Sequence, residues 1–277
     1  MMMKKKPAKK STRFFHIGVL GLFLTAGTSC NSRSENLYEQ ASAEIEKGNY
    51  GFAETLLEKT AQIEKDDTQK YRYIGEAVRL LRFELQDYQK ALTLLREIIL
   101  SSPDEVQRIG AQEAISEIYL ENLQDYASAL KELQILEPLL KDPKKKEKIR
   151  LRIAQMLYLT GNSDQALEEI NSAEKYIKYQ SLQFLKLKAE ILLAEKRYKE
   201  TLQAYEELRL KNANFFAEEN LYIGTSIVYE ENEQYKEALE YLVKNESSIK
   251  DKTYYELRVK RLKSKIANKP LSKGVRK

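Results

Sequence analysis

A nine-residue pattern built on Tyr-x-x-Ala-Leu recurs six times along this 277-residue chain, and it constrains the fold more than any other feature. The copies read NYGFAETLL from Asn49, DYQKALTLL from Asp87, DYASALKEL from Asp125, NSDQALEEI from Asn162, RYKETLQAY from Arg197 and QYKEALEYL from Gln234. The aromatic position falls at Tyr50, Tyr88, Tyr126, Ser163, Tyr198 and Tyr235, at intervals of 38, 38, 37, 35 and 37 residues. Three residues later stands a small side chain: Ala53, Ala91, Ala129, Ala166, Thr201 and Ala238. Four further on stands a large one: Leu57, Leu95, Leu133, Ile170, Tyr205 and Leu242.

That spacing has a physical reading. A small residue lets two antiparallel helices approach closely. A large residue one turn later packs on the same face. The tyrosine opens the second helix and plugs the turn before it. Another helical pattern precedes the copies, as in Tyr38, Ala41 and Ile45; Ile74, Ala77, Val78 and Leu81; Ala111, Ala114, Ile115 and Ile118; and Ile153, Ala154 and Leu157. Each unit is therefore a helix, a short turn and a second helix. One pair cannot bury its apolar stripe alone, so neighbours must stack into an all-α solenoid.

The pattern resembles the tetratricopeptide repeat, a 34-residue helix-turn-helix unit. The second copy carries the likeness best, with Tyr88, Ala91, Leu95, Ile98 and Pro103 at the family's spacing. The departures are a longer period, no tryptophan, Ser163 for the aromatic residue, Thr201 for the small one and Asn245 at a normally apolar position. The resemblance implies about six repeats. The packing positions are Tyr50, Ala53, Tyr88, Ala91, Tyr126, Ala129, Ala166, Tyr198, Tyr235 and Ala238. In the family, first helices line a concave groove that takes peptides, helices or loops of partner proteins. On that reading Tyr73, Tyr119, Tyr158 and Tyr222 are groove candidates, because they lie on first helices. The run Lys141 to Arg150 (KDPKKKEKIR) is expected to be a loop opening the fourth repeat, with Pro143 as the breaker.

The first thirty residues belong to another plan. Six basic residues precede an apolar run from Phe14 to Ala26 that His16 interrupts. Gly27, Thr28 and Ser29 then lead to Cys30, the only cysteine. Charge, apolar run and small residues in that order make a secretory signal. Thirteen residues span about 20 Å as a helix, short of a bilayer core of ~30 Å. The stretch resembles a bacterial lipoprotein signal. That resemblance implies cleavage before Cys30, acylation of its thiol and attachment to a membrane. Asn31 follows the cysteine, and the sorting rule of some enteric bacteria would then favour the outer membrane facing the periplasm.

The expected organisation is a signal peptide over 1–29, a tether over 30–34, the solenoid over 35–250, a capping helix over 251–268 and a basic, disordered tail over 269–277. Charge follows it. Residues 30–257 hold 32 basic and 42 acidic side chains, whereas 258–277 hold nine basic ones and no acid. The sequence pI of about 8.9 owes much to the signal and predicts no nucleic-acid partner.

Chemistry is scarce in such a chain. The only histidine, His16, lies in the signal, so the mature protein has no Cys/His metal site, no Ser–His or Cys–His pair and no disulfide. No glycine-rich phosphate loop occurs. The expectation is a non-enzymatic protein with no metal and no cofactor beyond a covalent lipid on Cys30. Its partners would be envelope proteins or peptides in the groove, and the membrane through the lipid. The leading function is a membrane-anchored, periplasm-facing scaffold or adaptor in envelope assembly. Pilotin-like and barrel-assembly-like lipoproteins, an adaptor for wall hydrolases and a self-associating spacer are alternatives.

Overall fold

The computed structural model describes residues 33–173 and 176–268. The expected signal peptide, Cys30 with its lipid, and the basic tail lie outside the described residues. Six helix pairs run in chain order. They are α1 (Arg33–Glu46) with α2 (Tyr50–Ile63), α3 (Asp67–Phe83) with α4 (Tyr88–Ser101), and α5 (Glu105–Glu117) with α6 (Tyr126–Leu136). Then come α7 (Pro143–Leu159) with α8 (Ser163–Ala173) and α9 (Ser181–Ala194) with α10 (Tyr198–Lys211). A short α11 (Ala213–Glu218) precedes the sixth pair, α12 (Leu221–Glu231) with α13 (Tyr235–Lys244), and α14 (Lys252–Asn268) closes the stack. Consecutive helices pack on each other. Among the described residues there is no strand, so the architecture is an all-α solenoid.

Every second helix begins at the repeat's aromatic position, Tyr50, Tyr88, Tyr126, Ser163, Tyr198 or Tyr235. The turn before it is the same device six times. Two residues ahead of each start, Gly48, Gln86, Gln124, Gly161, Lys196 and Glu233 adopt left-handed backbone, with φ between 53° and 82°. A left-handed residue ends a helix by turning the next N–H back onto its carbonyls. In four repeats that N–H reaches back five residues, as from Asn162 to Leu157. In the second and third it reaches back six, from Asp87 to Leu81 and from Asp125 to Tyr119, and one extra residue is absorbed there. In the third, this takes the form of a π-helical turn, Ile118–Asn122.

The spaced residues pack as their chemistry demands. Ala53, Ala91, Ala129, Ala166, Thr201 and Ala238 are all fully buried, and Leu57, Leu95, Leu133, Ile170, Tyr205 and Leu242 are buried one turn on. The exceptions have local remedies. Thr201 donates its hydroxyl to the Arg197 carbonyl at 3.0 Å, so its buried oxygen is satisfied. Tyr205 is longer than leucine, and its ring lies against Gly224 of α12, where no side chain competes for the space. Asn245 ends α13 and donates Nδ2 to the Tyr241 carbonyl at 2.8 Å.

Some expectations change. Arg33 and Ser34, assigned to the tether, open α1, and Ser34 is buried. The Lys141 to Arg150 run is helical from Pro143 onward. Asp142 caps that helix by accepting from the Lys144 N–H at 2.9 Å. Proline at the first helical position lacks only an N–H that would have no helical partner, so here it starts the helix. The face of α14 is not simply basic. Arg258 is buried against Glu230 of α12, and Arg261 donates to the same carboxylate at 2.8 Å. The buried glutamate thus holds the last helix on the stack.

Candidate peptide-binding groove

The first helices α3 and α5 are separated by a cleft of about 400 Å³, floored by Leu95 and Ile98 of α4. Its walls carry Tyr71, Gly75 and Val78 on one side and Gly110, Ala111 and Ala114 on the other. Both glycines sit inside regular helix, and a Cβ on either would meet no atom within 4 Å. Neither places a side chain in the cleft that it lines. At one end Gln107 crosses it, donating Nε2 to the Thr68 carbonyl at 3.0 Å.

Arg72 stands at the rim and is held in place. Its guanidinium lies 5.1 Å from the Tyr38 ring centroid and 4.7 Å from that of Tyr73, and it pairs with Glu76 at 3.3 Å. Tyr38 donates its hydroxyl to the same glutamate at 3.1 Å. Stacking on two rings limits the rotamers of a long side chain. The rim therefore presents a fixed cation beside an apolar trough.

Behind this cleft the apolar core gives way to ions. Buried Arg82 of α3 donates to Asn122, Glu117 and Glu121 at 2.8–2.9 Å. The π-helical turn brings those three acceptors to one guanidinium. Arg152 of α7 lies 3.8 Å from Glu117 and continues the network into the fourth repeat. On the second-helix side, buried Glu132 of α6 accepts from Arg96 of α4 and from Gln112 of α5. A further clamp lies at the loop before α9. The buried Glu147 carboxylate accepts backbone N–H groups from Lys178, Tyr179 and Gln180 at 2.7–3.0 Å. It fastens the loop that enters α9 to α7, while Gln180 gives that helix no side-chain cap.

The four tyrosines chosen from sequence divide. Tyr73 is buried, with its ring 5.0 Å from Tyr38, because α1 and α3 meet there. Tyr222 is buried edge-on against Phe216, 4.8 Å away, because α11 covers it. These two are core residues, which corrects their assignment to the groove. Tyr119 and Tyr158 are half-buried and pack on the core. The residues that shape the cleft, Gly75 and Gly110, stood in the sequence only as scattered glycines. A glycine inside a helical period was the available signal. A second, larger cleft of about 700 Å³ lies on the second-helix side, where Leu202, Glu206 and Leu210 of α10 face Tyr229 of α12. Among the described residues, no cluster of three or more acidic, histidine or cysteine side chains could hold a metal, and no helix is long and apolar enough to cross a membrane.

Paired helices in register, a left-handed turn at each pair and a small residue at every close approach define an α-solenoid of repeats. Solved tetratricopeptide repeat structures share this fold. A tetratricopeptide repeat protein from Parabacteroides merdae is 17% identical, with a TM-score of 0.53 over 85% of this chain and 94% of its own. A signal transduction ATPase with a tetratricopeptide repeat sensor from Pyrococcus horikoshii is 18% identical, with a TM-score of 0.54 over 83% of this chain and 38% of its own. The apo form of RapI is 15% identical, with a TM-score of 0.53 over 86% of this chain and 72% of its own. At such identities the likeness is one of fold. No protein-family model and no curated protein matches the chain.

Proposed function

We propose that this protein is a membrane-tethered tetratricopeptide scaffold that holds an extended segment of a partner protein in the cleft between α3 and α5. The observation that carries the reading is the pair of glycines. Inside a helix, glycine costs about 1 kcal/mol relative to alanine. Neither Gly75 nor Gly110 has a left-handed backbone, and neither is pressed by a neighbour. Both face one cleft, so the stability they cost keeps a binding surface open. An apolar trough with one fixed cation at its rim suits a bulky apolar side chain followed by an acidic one. Binding, not catalysis, is the role. The tether rests on the sequence, with Cys30 as the acylated residue and Asn31 favouring an outer-membrane, periplasm-facing address. An envelope adaptor, of which pilotin-like and barrel-assembly-like factors are versions, follows from that address.

The test is crosslinking in intact cells, affinity purification and mass spectrometry, run with Gly75→Leu, Gly110→Leu and Cys30→Ser variants. The leucine variants should keep their helical circular dichroism and lose the foreign partner by at least about tenfold, the effect of ~1.4 kcal/mol. Cys30→Ser should leave the envelope fraction. Partners retained by both leucine variants would remove the cleft from the reading. Recovery of this chain alone from wild type would sink the scaffold.

A further inference from the structure

The starts of the first helices lie along one edge of the solenoid, and hydrogen bonds join them in a row. Ser34 of α1 bonds to Glu64 at the end of α2. Gln107 of α5 donates to the Thr68 carbonyl of α3 at 3.0 Å, and Lys141, just ahead of α7, donates to Glu105 of α5 at 2.8 Å. This edge shows apolar side chains to solvent. Leu100 and Val106, on either side of Pro103, are 83% and 77% exposed, and Leu139 at the junction of α6 and α7 is 45% exposed. The aspartates of the edge are occupied as helix caps: Asp66, Asp104 and Asp142 accept the N–H groups of Gln69, Val106 and Lys144. Lys144 and Lys145 follow the last cap, both exposed.

We infer, on the tether proposed above, that this edge rests on the membrane that receives the acyl chains of Cys30, with Leu100 and Val106 in the lipid interface. Cys30 stands three residues before Arg33, where α1 begins, so the two are at most about 11 Å apart. An acylated Cys30 holds the start of α1 within that reach of the headgroups. At such range the contact is intramolecular, and a few apolar side chains suffice to fix the orientation. Leu100, Val106 and Leu139 leave water for the acyl boundary. Lys144 and Lys145 add attraction to anionic headgroups. The opposite edge also shows apolar side chains, with Phe52, Phe83 and Leu159 exposed. Phe83 ends α3, a helix of 17 residues, so it stands about 25 Å farther from the bilayer and stays free for a protein.

The full acylated chain, in vesicles of phosphatidylethanolamine and phosphatidylglycerol, provides the test. Cys30 is the only native cysteine, and acylation consumes its thiol. Single Leu100→Cys, Val106→Cys and Phe83→Cys variants then each carry one free thiol for an environment-sensitive dye. All three positions are exposed, so the labels leave the core intact. A quencher attached to lipid headgroups should dim the dye at Leu100→Cys and Val106→Cys several-fold more than at Phe83→Cys. Equal quenching at the three sites, or stronger quenching at Phe83→Cys, on a chain whose mass includes the acyl chains would overturn the inference and leave the tether standing. A chain without that mass would overturn both. Dye–dye quenching between copies at Leu100→Cys, with no lipid quencher present, would give the edge to a second copy and overturn the inference as well.

Discussion

From Ala129 onward the buried apolar side chains form one continuous cluster that reaches Leu262, whereas α1 to α5 hold two smaller clusters, Ala41 to Leu80 and Ala61 to Ile118. The better-connected half is the one whose motif is worse. Ser163, Thr201, Tyr205 and Asn245 all fall after residue 129, as does the inserted α11. The first three copies keep tyrosine, alanine and leucine throughout. Motif fidelity does not by itself secure a continuous core. The break before the large cluster falls inside the third pair, between Ile118 and Ala129, and Glu117, Glu121 and Glu132, paired with Arg82 and Arg96, flank it. The open cleft belongs to the half with the divided core.

The largest effect should come from the end of the well-connected half. Glu230→Ala leaves Arg258 buried without its counter-charge, at a cost of about 3–5 kcal/mol. Urea unfolding should show that loss, with early proteolysis of α14. A loss below about 1 kcal/mol would mean that the last helix is held by apolar packing alone.

Next comes the seam. Arg82→Met removes the donor shared by Glu117, Glu121 and Asn122. The expected loss is about 2–3 kcal/mol, below the figure for a fully buried pair because Glu121 is half exposed. Repeat stability is close to a sum of neighbour contacts. Unfolding followed by circular dichroism should therefore split into two transitions. A single transition shifted as a whole would mean that the two halves are one cooperative unit.

A smaller change tests the shared turn. Gln124 has a left-handed backbone, with φ of 53°. Gln124→Gly should raise stability by about 1 kcal/mol, since left-handed backbone is strained for any residue with a Cβ. A decrease would show that the Gln124 side chain contributes more than its backbone costs.

The smallest is confined to alkaline solution. Burial pushes the Tyr205 phenol up to about 12 from its ordinary 10.0. The folded state then holds a proton that the unfolded chain releases above pH 10, so stability falls as pH rises through that window. Against Tyr205→Phe, the wild type should lose about 0.8 kcal/mol more by roughly pH 10.5. Parallel pH profiles would show that Tyr205 reaches water.

Much of the pairing was legible because it is local. The start of each second helix, the small position and the large position all follow from a period of 35 to 38 residues. The left-handed turn was half legible: Gly48 and Gly161 announce it, whereas Gln86, Gln124, Lys196 and Glu233 adopt it under the pull of the flanking helices. Pro143 was misread because one residue breaks a helix from inside and begins one from its first turn. Tyr73 and Tyr222 were misplaced because a one-dimensional pattern assigns a helix face but not the neighbour that covers it.

By itself, the sequence determined the repeat, the helix pairing and the order of charge along the chain, since helical spacing and small-residue contacts act within a few turns. It also carries Cys30 and the stretch expected to be a signal. Only the tertiary structure decided which charged residues go inside. Arg82, Glu132, Glu147, Glu230 and Arg258 look in sequence like the charged residues of any solvated helix face. Each is buried because a partner 20 to 40 positions away, or a loop in the next repeat, places hydrogen-bonding groups or an opposite charge against it. The cleft at Gly75 and Gly110 was decided in the same way. An absent side chain shapes a surface only where another helix stands opposite it.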